Sequence, residues 1–132
     1  MMAEQKREYF KGTQPEQRAY SRAVKTSGTT TIYLAGVGAT EDASGKSLVG
    51  DFDGQVRASF ERMGQTLGEA GGSLADIATM TVFIVDMNNG KRFLELRKEI
   101  FKRDFPASAL IGISKLARPE MTIEIQAIAV VD

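Results

Sequence analysis

From Phe52 onward the apolar residues Val56, Phe60, Met63, Leu67 and Ala70 return every three or four positions, the spacing of one helix face. Asp51 precedes this run as a candidate N-cap. Gly71-Gly72 follows it, where a left-handed stop is favoured, so the pattern predicts a helix bounded at both ends. A second helix is expected after Asn88 and Asn89, either of which can cap it. Its inward face is Phe93, Leu96, Ile100 and Phe101, and it ends near Asp104, before Phe105-Pro106. Ser73 and Asp76 have the spacing of a capping box on a short turn between the two helices.

The remaining apolar runs read as strands. Residues 23–31 and the extension Ile32-Tyr33-Leu34-Ala35 predict a hairpin turning at Ser27-Gly28, followed by a polar surface loop over 40–44. Branched residues over 79–85 predict a strand buried on both faces, and further strands are expected at 109–113 and 121–131. In the last of these, Ile123, Ile125, Ala127, Ala129 and Val131 share one face. The opposite face starts polar at Glu124 and Gln126 and turns apolar at Ile128 and Val130. A sheet covered by helices on one side buries only the first set, so the second face invites a partner, most simply another copy of the chain. The element order describes a single α+β domain over residues 1–132 with its helices on one side of the sheet.

Composition narrows the chemistry. Seventeen Lys plus Arg balance seventeen Asp plus Glu, which removes the positive field that nucleic-acid binding requires. With no Cys and no His, disulfides, thiolate nucleophiles, the usual zinc sites and imidazole proton shuttles are excluded. Any reaction must use carboxylates, hydroxyls, amides, Lys, Arg or bound water, and no metal or cofactor is expected. The polar residues 1–7 lack the apolar core of a signal peptide, and no run of apolar residues is long enough to span a bilayer. A cytoplasmic setting with no membrane partner is the expectation.

Four segments in order resemble the Rid (reactive intermediate deaminase, YjgF-like) family. Ala19-Tyr20-Ser21-Arg22-Ala23-Val24 is similar to its Tyr-Ser-x-Ala-Val segment, and Tyr33-Leu34-Ala35-Gly36 to its strand ending in Ser-Gly. Thr81 to Asn88 resembles its Thr-x-Phe-x-x-Asp-Met-Asn strand, and Ile123 to Ala129 its Ile-Glu-Ile-Glu-Ala-Ile-Ala terminus. The resemblance implies a chorismate-mutase-like mixed β-sheet with two helices packed on one face. It also implies a homotrimer around a central barrel, with small-molecule clefts between subunits. The activity implied is hydrolysis of reactive enamines and imines, such as 2-aminoacrylate, to a keto acid and ammonia.

The resemblance assigns Glu124 as the acid that holds the attacking water. It places Tyr20, Gly36 and Asn88 at the substrate, whereas in bland terms these are a packing tyrosine, a turn glycine and a helix cap. Gln126 stands where many relatives carry a second Glu and is read as structural. The family's Pro-x-Arg-Ser segment reads Pro106-Ala107-Ser108-Ala109 here, so Ser108 occupies the position of the carboxylate-gripping Arg. A hydroxyl supplies neither the charge nor the fork of a guanidinium. That loss is worth roughly 1.5 to 3 kcal/mol, about one to two decades in affinity. Arg118, in a loop one residue longer than the family's, is the candidate replacement and is otherwise a solvated loop residue; the direction of Lys115 is open. Two functions follow: an imine or enamine deaminase using Glu124 and water, or a non-catalytic metabolite-binding or regulatory module that lost activity with the Arg. A ribonuclease activity, attached to some relatives, is disfavoured by the zero net charge and the missing His.

Overall fold

The computed structural model describes residues 7–13 and 16–132, so most of the N-terminal segment read above as lacking a signal lies outside the described residues. The strands are β1 (Arg7–Phe10), β2 (Ala23–Thr26), β3 (Thr30–Tyr33), β4 (Ile77–Ile84), β5 (Ala107–Gly112) and β6 (Ile123–Val131). The helices are α1 (Phe52–Glu69) and α2 (Gly90–Phe101). Strands β3, β6, β4 and β5 form, in that order, a mixed sheet in which only β4 and β5 run parallel.

The period-two pattern of β6 holds throughout: Ile123, Ile125, Ala127, Ala129 and Val131 are buried. Paired antiparallel to it, β4 turns Ile77, Met80, Val82 and Ile84 to the same face. Onto that face pack Val56, Phe60, Met63 and Leu67 of α1 with Phe93 and Leu96 of α2. Phe60 is edge-on to Phe101 at 5.5 Å between ring centroids and lies 6.3 Å from Phe93, so one ring joins the two helices. Arg92 adds a forked pair to Asp53 at the helix N-termini.

Helix ends follow local chemistry. The Asp51 carboxylate accepts from the Gly54 N–H at 2.9 Å, and Gly71 closes α1 with φ of +88°. Ser73 and Asp76 form the expected capping box. The cap before α2 is displaced: Asp86, not either Asn, accepts the Asn88 N–H and opens the turn Met87–Asn89, which runs straight into α2 without a side-chain cap.

The hairpin expected at Ser27-Gly28 does not form. β2 pairs with β1 in a separate two-stranded sheet, and β3 pairs with β6. Gly28 serves close packing instead, since a Cβ there would lie 2.7 Å from Val130 Cγ1. β5 starts two residues earlier than the apolar run indicates, because Ala107 and Ser108 already pair with Thr79 and Met80 of β4. No helix among the described residues is long and apolar enough to cross a membrane.

Phe60→Ala removes the ring shared by both helices and is expected to destabilise the fold by about 3–5 kcal/mol, measured as a shift in the urea unfolding midpoint.

Candidate functional site

Ser21 sets the position of the segment carrying Tyr20. Its amide donates to the Pro106 carbonyl, its hydroxyl donates to the Phe105 carbonyl at 2.6 Å, and it bridges to Ala107 at the start of β5. Tyr20 is thereby held beside Ser108. Because Ser108 is in register with Met80, its side chain faces the helices, where α2 lies over the edge strand. Between these elements opens a cavity of about 510 Å³ lined by Tyr20, Ser108, Met87, Leu94 and Leu110, with Arg97 of α2 contributing to its wall.

Arg97 was not among the residues singled out from sequence. It is 1% exposed. Its Nη1 donates to Ser108 Oγ at 2.6 Å, its Nη2 donates to the Arg18 carbonyl at 3.2 Å, and its Cζ lies 4.9 Å from the centre of the Phe93 ring. Nε is buried with no hydrogen-bond partner among the described residues. Burial pushes the guanidinium pKa down to about 10, with Tyr20 acting weakly the other way. The signal for it lay in the helix pattern: Arg97 stands four residues after Phe93 and three before Ile100, a cation on the apolar stripe.

Glu124 and Gly36 occupy the other face of the sheet. Glu124 alternates with the buried Ile123 and Ile125 and is itself half-buried. Its carboxylate lies against Gly36, where a Cβ would come within 2.7 Å of Oε2. No hydrogen bond or ion pair ties that carboxylate to any described residue, and the Gly36 amide likewise has no partner among them. This outer face is open, with Tyr33 at 76% exposure.

One chain therefore brings the sequence candidates together in two groups rather than one. Tyr20 and Ser108 share the cavity at the β5 edge, and Gly36 and Glu124 touch on the outer face. Asn88 is exposed in the turn that carries Met87 to the cavity. Arg118 is exposed and donates to Thr40 Oγ1 at 3.2 Å, and Lys115 is exposed. Gln126 faces outward, beside Tyr33 and Ile128. A different amide, Gln55, is the buried structural one. It donates to the Leu48 and Glu120 carbonyls and accepts from the Thr122 amide and hydroxyl, fixing the loops on either side of α1's first turn. No cluster of His, Cys, Asp or Glu side chains that could hold a metal ion is present among the described residues.

Both helices on one face of a mixed sheet, with a small-molecule-sized cavity at the β5 edge, define the class as an α+β two-layer domain. Comparison with known proteins makes the class specific. Residues 12–131 match the family model described as endoribonuclease L-PSP, and the chain belongs to that family, the Rid or YjgF family. It is 31% identical over 111 residues to a human protein named 2-iminobutanoate/2-iminopropanoate deaminase, covering 84% of this chain and 79% of that one. The structure of the Rid-family protein YyfB from Yersinia pestis superimposes with a TM-score of 0.81 at 24% identity, over 98% of this chain and 100% of that one. That of E. coli TdcF with bound serine gives a TM-score of 0.71 at 28% identity, over 88% and 95% of the two chains.

The pKa of Arg97 bears on stability. A lowering from arginine's ordinary value to about 10 marks a cost of charge burial of roughly 3 kcal/mol, against roughly 1.5 to 3 kcal/mol from each of the two hydrogen bonds this charged donor makes. The two bonds therefore offset the burial cost. Because the folded-state value lies below the unfolded one, the cost is fully present at neutral pH. It is relieved only as the pH rises through about 10 toward arginine's ordinary range. Arg97→Met removes the burial cost together with the two bonds that offset it and is expected to change the stability of the ligand-free protein at pH 7 by less than about 2 kcal/mol, as read from urea midpoints. A loss of several kcal/mol would identify the guanidinium as a structural brace.

Proposed function

We propose that the protein hydrolyses an imine or enamine to a carbonyl compound and ammonia in a cleft between subunits, with Glu124 holding the attacking water. The observation that carries this reading is the Glu124 carboxylate itself, half-buried and without a partner among the described residues, lying over a glycine whose amide has none among them either. A carboxylate kept in that condition for structural reasons alone is costly. Water between Glu124 and the Gly36 amide satisfies both groups. The names of the relatives support the same reaction class, since the human relative is named for deamination of 2-imino acids.

In this mechanism an enamine first tautomerises to its imine, and the Glu124 carboxylate accepts a proton as the water oxygen bonds to the imine carbon. Glu124 returns that proton to nitrogen to give the carbinolamine, whose hydroxyl proton then moves to nitrogen as the C–N bond breaks, releasing ammonia and leaving a carbonyl. Water is the only co-reactant, and no metal or cofactor is invoked. Tyr20 and Asn88 offer hydrogen bonds to the ligand at the same cleft.

Assembly is part of the proposal. Glu124 with Gly36 and the cavity at β5 lie on opposite faces of one sheet, so a site containing both takes them from two copies of the chain. The homotrimer implied by the resemblance supplies that arrangement, covers Tyr33 and Ile128, and gives a central barrel. The cytoplasm is the proposed setting, consistent with a chain that has no Cys. The second reading, a metabolite-binding or regulatory module without turnover, is favoured by Ser108 at the family's Arg position.

Two variants test the reaction. Glu124→Gln keeps shape and removes the base, so ammonia release from freshly generated imino acids is expected to fall at least a hundredfold; unchanged release rejects the mechanism. Gly36→Ala pushes the carboxylate away from its position and is expected to reduce kcat with less than about 1 kcal/mol lost in stability, because the group displaced is a flexible side chain.

A further inference from the structure

We propose that Arg97, reaching the cavity from α2, is the group that binds the carboxylate of this protein's ligand, and that Ser108 is its positioning partner. A guanidinium carries five N–H donors, and two of those of Arg97 are engaged, by Ser108 Oγ and the Arg18 carbonyl. Nε is buried and unpartnered. No carboxylate among the described residues pairs with it, the ion pairs there being Arg57–Glu99, Arg92–Asp53 and Arg92–Glu95. A buried cation without a counter-ion is among the costliest arrangements in a folded chain, and a ligand anion removes that cost.

The rest of the cavity agrees in sign. Arg18 and Lys91 also line it, and no Asp or Glu does. Its remaining walls are Met87, Leu94 and Leu110, with Gly90 leaving room between them. Charge on one side and apolar surface on the other select a small organic acid with an apolar substituent: the carboxylate is drawn to the side of the cavity that Arg97 lines and the substituent lies along Met87, Leu94 and Leu110.

Ser108 and Arg97 form one coupled feature. The 2.6 Å bond shows that the guanidinium fills the space directly in front of residue 108, so a long side chain there would collide with it. A small hydroxyl admits the guanidinium and orients it as an acceptor. The positive charge near β5 is thus delivered from the helix rather than from the strand. This inference rests on the cleft assigned above and specifies the ligand class that the cleft takes.

The test is isothermal titration calorimetry on the full chain with 2-oxobutanoate, 4-methyl-2-oxopentanoate and phenylpyruvate, each against its uncharged amide. Wild type is expected to prefer the acids over the amides. Arg97→Met should weaken the acids about ten- to a hundredfold while leaving the amides within about threefold, and Arg97→Lys should fall between because an ammonium lacks the fork. A structural brace would weaken acid and amide alike. The double variant R97M/S108R moves the guanidinium to the strand and should recover acid binding, which keeps the test decisive if R97M alone folds poorly. Equal affinity for acids and amides, no binding of any acid, or unchanged acid affinity in R97M overturns the inference. Glu124→Gln separates it from the deaminase reading. Acid binding that depends on Arg97 without any ammonia release upholds the clamp and rejects the reaction, whereas ammonia release that survives R97M unchanged upholds the reaction and rejects the clamp.

Discussion

The alternation of β6 is the constraint on which the rest of the molecule depends. Five of its nine residues are buried beneath the helices, and it is hydrogen-bonded to β3 on one side and β4 on the other. A strand so placed cannot slip by one residue without turning Ile123, Ile125 and Ala127 out of the core and Glu124 and Gln126 into it. Register, helix placement and the outward direction of Glu124 are therefore a single choice. The same choice leaves an outer face with Tyr33, Ile128 and Val130 that the helices of its own chain do not reach.

The second determinant is the way α2 lies over the edge of the sheet. Phe93 and Leu96 bury themselves beside α1's Phe60, and that rotation carries Arg97 inward with them. Its guanidinium then reaches the edge strand, stacked over Phe93 and bonded to Ser108. Apolar packing and two hydrogen bonds thus hold in place a buried charge that has no counter-ion among the described residues.

Membership of the Rid family and departure from its site are both visible here. Ser108 stands where the resemblance places the family's strand arginine, and the guanidinium of Arg97 lies in front of that residue. Glu124 and Gly36 keep a close apposition that a β-carbon on residue 36 would disturb. In the proposed site the positive charge comes from α2, and the acid faces the other side of the sheet.

Elements with strong periodicity were legible in the sequence alone. The face of α1, its Asp51 cap and Gly71 stop, the Ser73–Asp76 box and the inward set of β6 are all local patterns, dictated by 3.6-residue and two-residue repeats and by side chains reaching their own backbone. Motif resemblance marked Tyr20, Gly36, Ser108 and Glu124 as one group. Pairing was not legible: β2 and β3 look like a hairpin, but β2 turns back to the preceding strand β1 and β3 pairs with β6 at the far end of the chain, a choice that depends on contacts no short window contains. Nor was it legible that the marked residues divide between two faces of the sheet, or that Arg97 meets Ser108. Arg97 and Ser108 lie eleven positions apart on different elements, and only the crossing of α2 over β5 brings the buried charge to the cavity. Local chemistry thus set the elements, and the tertiary packing decided which of their polar groups would be left facing a space that a ligand can fill.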